Sequence, residues 1–381
     1  MPWEEVSIMD RREEFVRFAL AAGANFSALC RTFGISRKSG YKWKKRALVE
    51  AGRVSFDDRS RRPLTSPKRT TEPIEQSVLS VRDAHPAWGA RKIRHVLERD
   101  GFEPPAPSTV HAILERHSRI TPSPREGKAF GSFEKEQPNL LWQMDFKGQF
   151  QLGDGVWCYP LTIVDDHSRY SLCIEAVDNQ QTETVQGALE RTFRDYGLPA
   201  AFYVDNGPPW GGSAQGQFTP LTVWLLKHDV GVIHAKPYCP QGRGKNERFH
   251  RSLKAEVITA KPLRDISQAQ QAFDQWRTIY NQRRPHEALG MQVPASRYQP
   301  SPRPMPSRLP TIEYDTFDIV RKVQKNLALI SFKGRNWRVP KAFRGETVAV
   351  RPRDNELYDI CFGATTIAQI DLRAKDTLPN V

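Results

Sequence analysis

At Leu140 the apolar rhythm of the chain changes. Upstream, in stretches such as GARKIRHVLERDG (89–101), apolar residues recur at helical spacing. From LLWQMDFKGQFQL (140–152) onward they alternate, with Trp142, Met144 and Phe146 on one side and Gln143, Asp145 and Lys147 on the other. Alternation of period two is the mark of a strand with one buried face. A chain that is helical before this point and strand-forming after it cannot be one uniform layer. Its 381 residues also exceed what one ordinary core accommodates.

Linkers divide the rest. DDRSRRPLTSPKRT (57–70) is rich in Pro, Ser and Arg, and ITPSPREGKAFGSFEKEQPN (120–139) reads as another linker. QPSPRPMPSRLP (299–310) holds five prolines and reads as a stiff spacer. The resulting division is a helix-turn-helix region at 1–56, a basic linker at 57–71, a second helical module at 72–118 and a linker at 119–134. A core follows at 135–298, then the proline-rich linker and a small C-terminal β-barrel at 311–381.

In the first region a helical pattern from about Asp10 to Ala22 is followed by Leu29, Cys30 and Phe33 at helical spacing. Gly34 and Ile35 make a turn, and Ser36 is suited to cap a further helix. Arg37, Lys38, Tyr41, Lys42, Lys44 and Lys45 are the residues of that helix placed to meet DNA in a major groove. Arg61 and Arg62 in the following arm suit a minor groove or a simple tether. In the second module a helix from Gly89 to Arg99 precedes one capped by Ser108.

Within the core, YSLCIEAV and VWCYPLTIVDD give two more strands, ETVQGALERTFRDYG (183–197) a helix, and AAFYVDNG (200–207) a short strand. A further helix and strand are followed by long helices near 245–259 and 265–283, which together make a mixed five-stranded α/β sheet. Asp145 lies in the first strand and Asp205 ends the fourth, where open α/β sheets place ligands. Glu247 opens the helix after the fifth strand, amid Arg243, Lys245, Arg251 and Lys254. Three carboxylates at one place repel one another, and a pair of hard divalent cations, Mg²⁺ or Mn²⁺, relieves that repulsion. Glu247 therefore reads as a metal ligand beside Asp145 and Asp205, and the cations near it as contacts to DNA phosphates. Asp165 and Asp166 precede His167-Ser168-Arg169 at a strand end, where turn capping accounts for them. His234 and His250 read as structural or phosphate-contacting residues.

Charge supports an anionic partner. The net charge is +14, with +8 over residues 1–70, +7 over 231–300 and +5 over 301–381. Five scattered cysteines without a C-x-x-C pair speak against a disulfide framework or a zinc knuckle. The charged N-terminal stretch has no apolar signal segment, and no apolar run nears the roughly 18 residues of a membrane span, so a cytoplasmic protein without membrane contact is expected.

WQMDF, YVDNG, PQGRGKNERFHRSLKAE and YNQRRPHEALG (280–290) resemble the DDE transposases of bacterial insertion sequences, whose core is like that of retroviral integrase with a ribonuclease H-like fold. The resemblance covers nearly the whole chain. It implies that Asp145, Asp205 and Glu247 are the catalytic residues and hold two Mg²⁺ or Mn²⁺ ions. It also implies binding of double-stranded DNA, both element ends and target, Mg-dependent cleavage and strand transfer, and a homodimer or higher homo-oligomer on DNA. No N-terminal zinc module is implied, since the His/Cys spacing is missing. The 41 residues between Asp205 and Glu247 exceed the spacing of many members, and the surplus falls in PPWGGSAQGQFTP. Two other functions fit the same pattern: a nuclease that cuts without joining, and a DNA-binding regulator without catalysis.

Overall fold

The structure, a computed structural model, describes residues 7–49, 56–58, 69–120, 134–211, 218–235, 244–354 and 356–374. It divides into two compact units, Met1–Arg69 and Thr70–Val381.

The first unit contains α1 (Ile8–Leu20), α2 (Phe26–Thr32) and α3 (Arg37–Val49). Ser7 and Asp10 cap α1 reciprocally, and Asn25 caps α2 through its side-chain oxygen. Ser36 accepts from the Ser39 backbone N–H at 3.1 Å, so it caps α3 as expected. Phe15, Val16, Ala19, Cys30 and Trp43 form the core. Gly40 is where α3 crosses the other helices: a Cβ there would stand 2.8 Å from Cys30 Sγ and 2.9 Å from Phe15 and Phe26. Any side chain at 40 would push α3 away.

The second unit opens with α4 (Glu72–Ala84), α5 (Ala90–Arg99) and α6 (Pro107–Arg116), packed around Trp88, Ile93, Val110 and Ile113. Ser108 does not cap α6. Pro107 takes the first helical position after Ala106, because its fixed φ and missing N–H suit a helix start, which moves the boundary back one residue. Glu75, buried in this module, accepts from Arg116 at 2.6 Å and lies 3.2 Å from His117 Nε2. Ile279 of the sheet domain packs against the module.

The sheet domain follows as β1 (Trp142–Phe146), β2 (Phe150–Gln151), β3 (Trp157–Asp165), β4 (Ser171–Val177), α7 (Thr182–Tyr196), β5 (Ala201–Val204), α8 (Pro220–Lys227) and β6 (Gly231–His234). Two helices complete it: α9 (Gly244–Leu253), which continues as a π turn over Lys254–Ile258, and α10 (Ile266–Gln282). The main strands run β4-β3-β1-β5-β6, antiparallel on the β3 side and parallel from β1 to β6. The two-residue β2 pairs with the start of β3, so the expected first strand is split in two. Apolar residues cover both faces. Trp142, Met144, Val185, Leu189, Phe193 and Leu221 form one core, beneath α7 and α8. Phe249, Leu253, Phe273, Trp276 and Tyr280 form the other, beneath α9 and α10.

The proline-rich stretch is fastened down, unlike the free spacer its composition suggests. Ser301 N donates to Tyr196 O at 2.8 Å, Leu198 N donates to Arg303 O at 2.7 Å, and Met305 packs on the core. Prolines leave few N–H groups to satisfy; that of Ser301 finds its partner in the α7–β5 turn, and that of Arg303 donates to Ser301 Oγ.

The C-terminal part contains β7 (Ile319–Lys322), β8 (Leu329–Phe332), β9 (Arg335–Arg338), β10 (Thr347–Pro352), β11 (Leu357–Phe362) and β12 (Thr365–Asp371). Backbone pairing gives an antiparallel sheet β12-β11-β10-β7 and a separate β8-β9 hairpin. These strands share one apolar core, which includes Val223 of α8, and Lys227 is 2.7 Å from Glu346. Among the described residues no helix is long and apolar enough to cross a membrane.

Candidate active site

β1 and β5 are adjacent and parallel, with Gln143 opposite Tyr203. Two residues further along each strand come Asp145 and Asp205, so the register sets these positions level. Neighbouring strands lie about 4.8 Å apart. Asp145 pairs with Thr162 on the other side, and the Thr162 hydroxyl donates to Asp145 O at 2.9 Å. That donation uses the only hydroxyl proton. His250 Nε2, 2.8 Å from the same oxygen, is therefore the donor to it.

His250 belongs to α9. One end of α9 is thus tied to β3 opposite Asp145. The other end is tied by Lys245, whose Nζ is 2.5 Å from Asp166 Oδ1. Glu247 lies between these two anchors, exposed on the first turn of the helix. The buried side of α9 carries Asn246, Phe249, His250 and Leu253. Arg251 and Lys254 are exposed, at four and seven residues from Glu247. The π turn begins at Lys254 and directs Glu256 inward, where it accepts from Trp276 Nε1 at 2.8 Å and Arg284 Nε at 3.1 Å.

Lys245 departs from expectation. Predicted to meet DNA phosphates, it is instead committed to the fully buried Asp166. Burial lowers its pKa, against the Asp166 carboxylate hydrogen bond that raises it. Asp166 takes two more donors, Lys135 N at 2.8 Å and Gln143 Nε2 at 2.7 Å. Asp165 accepts from Ser168 N, Ser168 Oγ and Asn139 N, at 2.7, 2.6 and 2.8 Å. Turn capping describes Asp165, as expected. Asp166 does more, joining three separate elements.

Asp205 is held from its own loop. Its Oδ1 accepts from Gly207 N at 2.9 Å and from the indole N–H of Trp210. Trp210 is 1% exposed and stacks on Phe146, with ring centres 5.4 Å apart. His234 Nδ1 donates to the backbone oxygen of Asp205 at 3.0 Å, a structural role, and burial lowers its pKa. Trp210 was not singled out by sequence reasoning. The available signal was a lone tryptophan inside a Pro/Gly loop, where exposure is the ordinary expectation.

Lys147 was missed as well. It is half-buried, and its pKa is lowered by burial and by the nearby Lys254, against Asp145. The side chains of Lys147, Lys254 and Asp145 therefore share one neighbourhood. Among the described residues no three His, Cys, Asp or Glu side chains stand together closely enough to hold a metal ion. Asp145 and Asp205 share a sheet edge, and Glu247 is on the helix laid alongside it.

In the first unit Arg37, Lys38, Tyr41, Lys42 and Lys45 are exposed on α3, and Lys44 is half-buried with its Nζ 5.5 Å from the centre of the Phe26 ring. Tyr41 stacks on Phe26 at 4.3 Å. Arg61, Arg62 and Arg243 lie outside the described residues.

Comparison with known families gives matches along most of the chain. Residues 135–240 and 228–294 match two families, each described as "Integrase core domain". Residues 318–378 match "IS481 family transposase, C-terminal domain". Residues 11–63 match "Helix-turn-helix domain" and 39–114 match "Homeodomain-like domain". The insertion element IS476 uncharacterized 39.2 kDa protein of Xanthomonas euvesicatoria is 25% identical over 261 residues, covering 66% of this chain and 71% of the relative. The insertion element IS407 uncharacterized 31.7 kDa protein of Burkholderia multivorans is 25% identical over 241 residues, covering 60% and 82%. Among solved structures, the simian T-cell lymphotropic virus intasome in complex with PP2A regulatory subunit B56 gamma aligns with a TM-score of 0.38 and 14% identity. That alignment covers 79% of this chain and 100% of the matched one.

Proposed function

We propose a mechanism from one premise: the chain is an insertion-sequence transposase with an integrase-like core and helix-turn-helix DNA-binding domains. Its chemistry is nucleotidyl transfer. In our reading Asp145, Asp205 and Glu247 are the catalytic carboxylates. The observation that carries this is the level register of Asp145 and Asp205 on adjacent parallel strands, with α9 pinned beside them at Lys245 and His250.

The donor set suits hard divalent cations, because all three groups are carboxylates and no thiol or imidazole belongs to the set. Asp145, Asp205 and Glu247, which binding would have to draw closer together than they stand here, would hold Mg²⁺ or Mn²⁺, and two such ions would supply Lewis-acid stabilisation of the phosphodiester's charge. The remaining work falls to the chain. Arg251 and Lys254, with Lys147, hold the DNA backbone against the sheet edge. α3 holds the double-stranded end of the mobile element in its major groove through Arg37, Lys38, Lys42 and Lys45.

The reaction runs in two displacements. Water attacks the phosphorus at the element's end, the P–O3′ bond breaks, and the 3′ oxygen leaves as a hydroxyl. That hydroxyl then attacks a phosphorus of target DNA in line, and the target's own 3′ oxygen departs. No covalent bond to the enzyme forms, so rate acceleration rests on positioning and electrostatics. Two ends have to be held at once, which calls for two or more copies of the chain on DNA.

The test is cleavage and joining of a duplex carrying the element's own termini, with wild type and Glu247→Gln. The expected result is joined product from wild type and, in the variant, a loss of about 10³-fold or more, the scale of removing one transition-state charge stabiliser. Equal rates in both proteins would remove Glu247 from the reaction. Cleavage without any joined product would make the chain a nuclease.

A further inference from the structure

The geometry points to a DNA-phosphate site shared by the second helical module and the core: Lys92 of α5 and Arg248 of α9 bind the duplex backbone where the module meets the core. The inference deepens the reading of α9 as a DNA-facing helix and rests on it.

α5 is fastened along the segment that follows α10. Arg91 Nη1 lies 3.8 Å from Glu287 Oε2 near one end of the helix. At the other end Arg99 Nη1 is 3.5 Å from the backbone oxygen of Arg283, and Arg283 Nη2 is 3.8 Å from Asp100 Oδ2. Between these contacts Ile93 and Val96 share an apolar core with Ile279 of α10. Together they hold α5 in one place beside the core.

The module has no excess of cations, and almost all of them are occupied. Arg82 donates to Trp88 O and Arg119 O, Arg94 to Glu98, Arg116 to Glu75 and Arg119 to Asp83. With Arg91 and Arg99 placed as above, Lys92 is the one Lys or Arg within 72–119 whose side chain has neither an ion pair nor a hydrogen bond among the described residues. Yet it is half-buried. Burial pushes its pKa down to about 8; Arg284 and Arg248 act in the same direction, against Glu256 and Glu287. Both of those acids are engaged elsewhere. Glu256 accepts from Arg284 and Trp276, and Glu287 faces Arg91.

Arg248 is exposed on α9, one position after Glu247, and its side chain is also unpaired among the described residues. Two cations from separate elements thus repel each other with no acid of their own. A half-buried charge without a partner is costly, and an anion from outside removes that cost. The phosphodiester oxygens of a duplex fit: they are charged, exposed and repeated along the backbone. One phosphate there relieves the repulsion and gives each cation an acceptor. Such a contact reads charge and not sequence. It leads the duplex from the α9 face of Arg251 and Lys254 onto a module that has no cationic helix of its own.

The experiment is the salt dependence of duplex affinity for the full-length protein, followed by fluorescence anisotropy. One duplex carries the element's termini and the other is unrelated. Lys92→Gln and Arg248→Gln are each expected to lower the slope of log affinity against log salt by about 0.9 on both duplexes, and together by roughly twice that. The thermal midpoint of Lys92→Gln holds or rises, because an unpaired half-buried charge is gone. pH gives a second readout. A phosphate favours the charged lysine, so Lys92 titrates higher in the complex than in the unbound protein. Wild-type affinity therefore falls as pH rises through about 8. Lys92→Arg keeps its charge across that range, so it retains the salt slope and loses the pH dependence. Lys254→Gln is the control for the α9 face. Wild-type slopes in both glutamine variants, with a lowered slope in Lys254→Gln, overturn the shared site and leave the reading of α9 intact. A lowered slope in Arg248→Gln alone confines the contact to α9 and removes the module from it. A lower thermal midpoint in Lys92→Gln with an unchanged slope makes Lys92 a fastening of α5. Wild-type slopes in all three variants overturn the reading of α9 itself.

Discussion

β1 has a cluster of aspartates near each of its ends. Near its start, across from Trp142, β3 delivers Asp165 and Asp166, both fully buried. Near its finish stand Asp145 and, level with it on β5, Asp205, both half-exposed. The residue type is the same and the strands are neighbours. What differs is how the charge is compensated. Asp165 takes three hydrogen bonds from its own turn and the segment before β1. Asp166 takes donors from Lys135, Gln143 and Lys245. These are closed sites, in which polar partners and burial leave no opening for a ligand. Asp145 and Asp205 sit at the edge, where the sheet stops and α9 passes. The enclosed pair ties segments of the fold together, and the pair at the sheet edge is the one we propose for chemistry.

The strongest test of that contrast exchanges one residue at each end for its neutral isostere. Asp145→Asn is expected to lower end cleavage by about 10³-fold or more while leaving the thermal midpoint within a degree or two. Asp165→Asn is expected to do the reverse. An amide there keeps one acceptor for Ser168 but turns an N–H₂ toward the Asn139 N–H, stranding buried donors at a cost of about 1–3 kcal/mol. Cleavage per folded molecule stays near wild type. Thermal denaturation and single-turnover cleavage on the same two preparations check both halves. Two variants with the same pattern would dissolve the distinction.

Lys245→Met probes the connection between the two ends, since Lys245 joins Asp166 to the helix that carries Glu247. Methionine fills the space of the stem and removes the ammonium. A charged hydrogen bond lost to a buried carboxylate is worth about 1.5–3 kcal/mol, and α9 loses one of its two anchors. The expected outcome is that destabilisation together with a cleavage loss of about 10-fold, and an unchanged salt dependence of DNA binding. A salt slope lowered by about 0.9 would instead return Lys245 to the DNA contacts predicted from sequence.

Much of this arrangement was legible in the chain itself. Alternation identified β1 as a strand, though both its faces are covered and Gln143 is as buried as Trp142 and Met144, and the Asp-Asn-Gly turn marked the end of β5. Gly34 and Ser36 marked the start of α3. Local chemistry carries such signals, because periodicity, caps and turns involve residues a few positions apart. Apart from the α6 cap, which Pro107 moved by local chemistry, these misses come from long-range pairing. Lys245 and Asp166 are 79 residues apart, so nothing near Lys245 announces a buried partner. The proline-rich stretch looked like a spacer because composition records stiffness and not the carbonyls of Tyr196 and Leu198 that fasten it. Trp210 looked like a loop residue because its partners, Asp205 and Phe146, meet only after β1 and β5 pair.

The smallest expected effect is in the pH dependence of stability. Burial raises the pKa of Asp165 above the ordinary carboxylate value, outweighing its hydrogen bonds from Ser168 and Asn139, which lower it. The folded protein therefore holds this proton more tightly than the unfolded chain does. Between the ordinary carboxylate pKa and the raised one, the folded state binds the extra proton, so stability from this group is present at low pH and lost as pH rises through the folded value. Asp165→Asn removes that slope, and Asp145→Asn leaves it in place. Urea midpoints of the three proteins across the acidic range are the measurement. A slope that persists in Asp165→Asn would mean that another buried group carries it, and that the closed end of β1 is less strained by its charge than its depth implies.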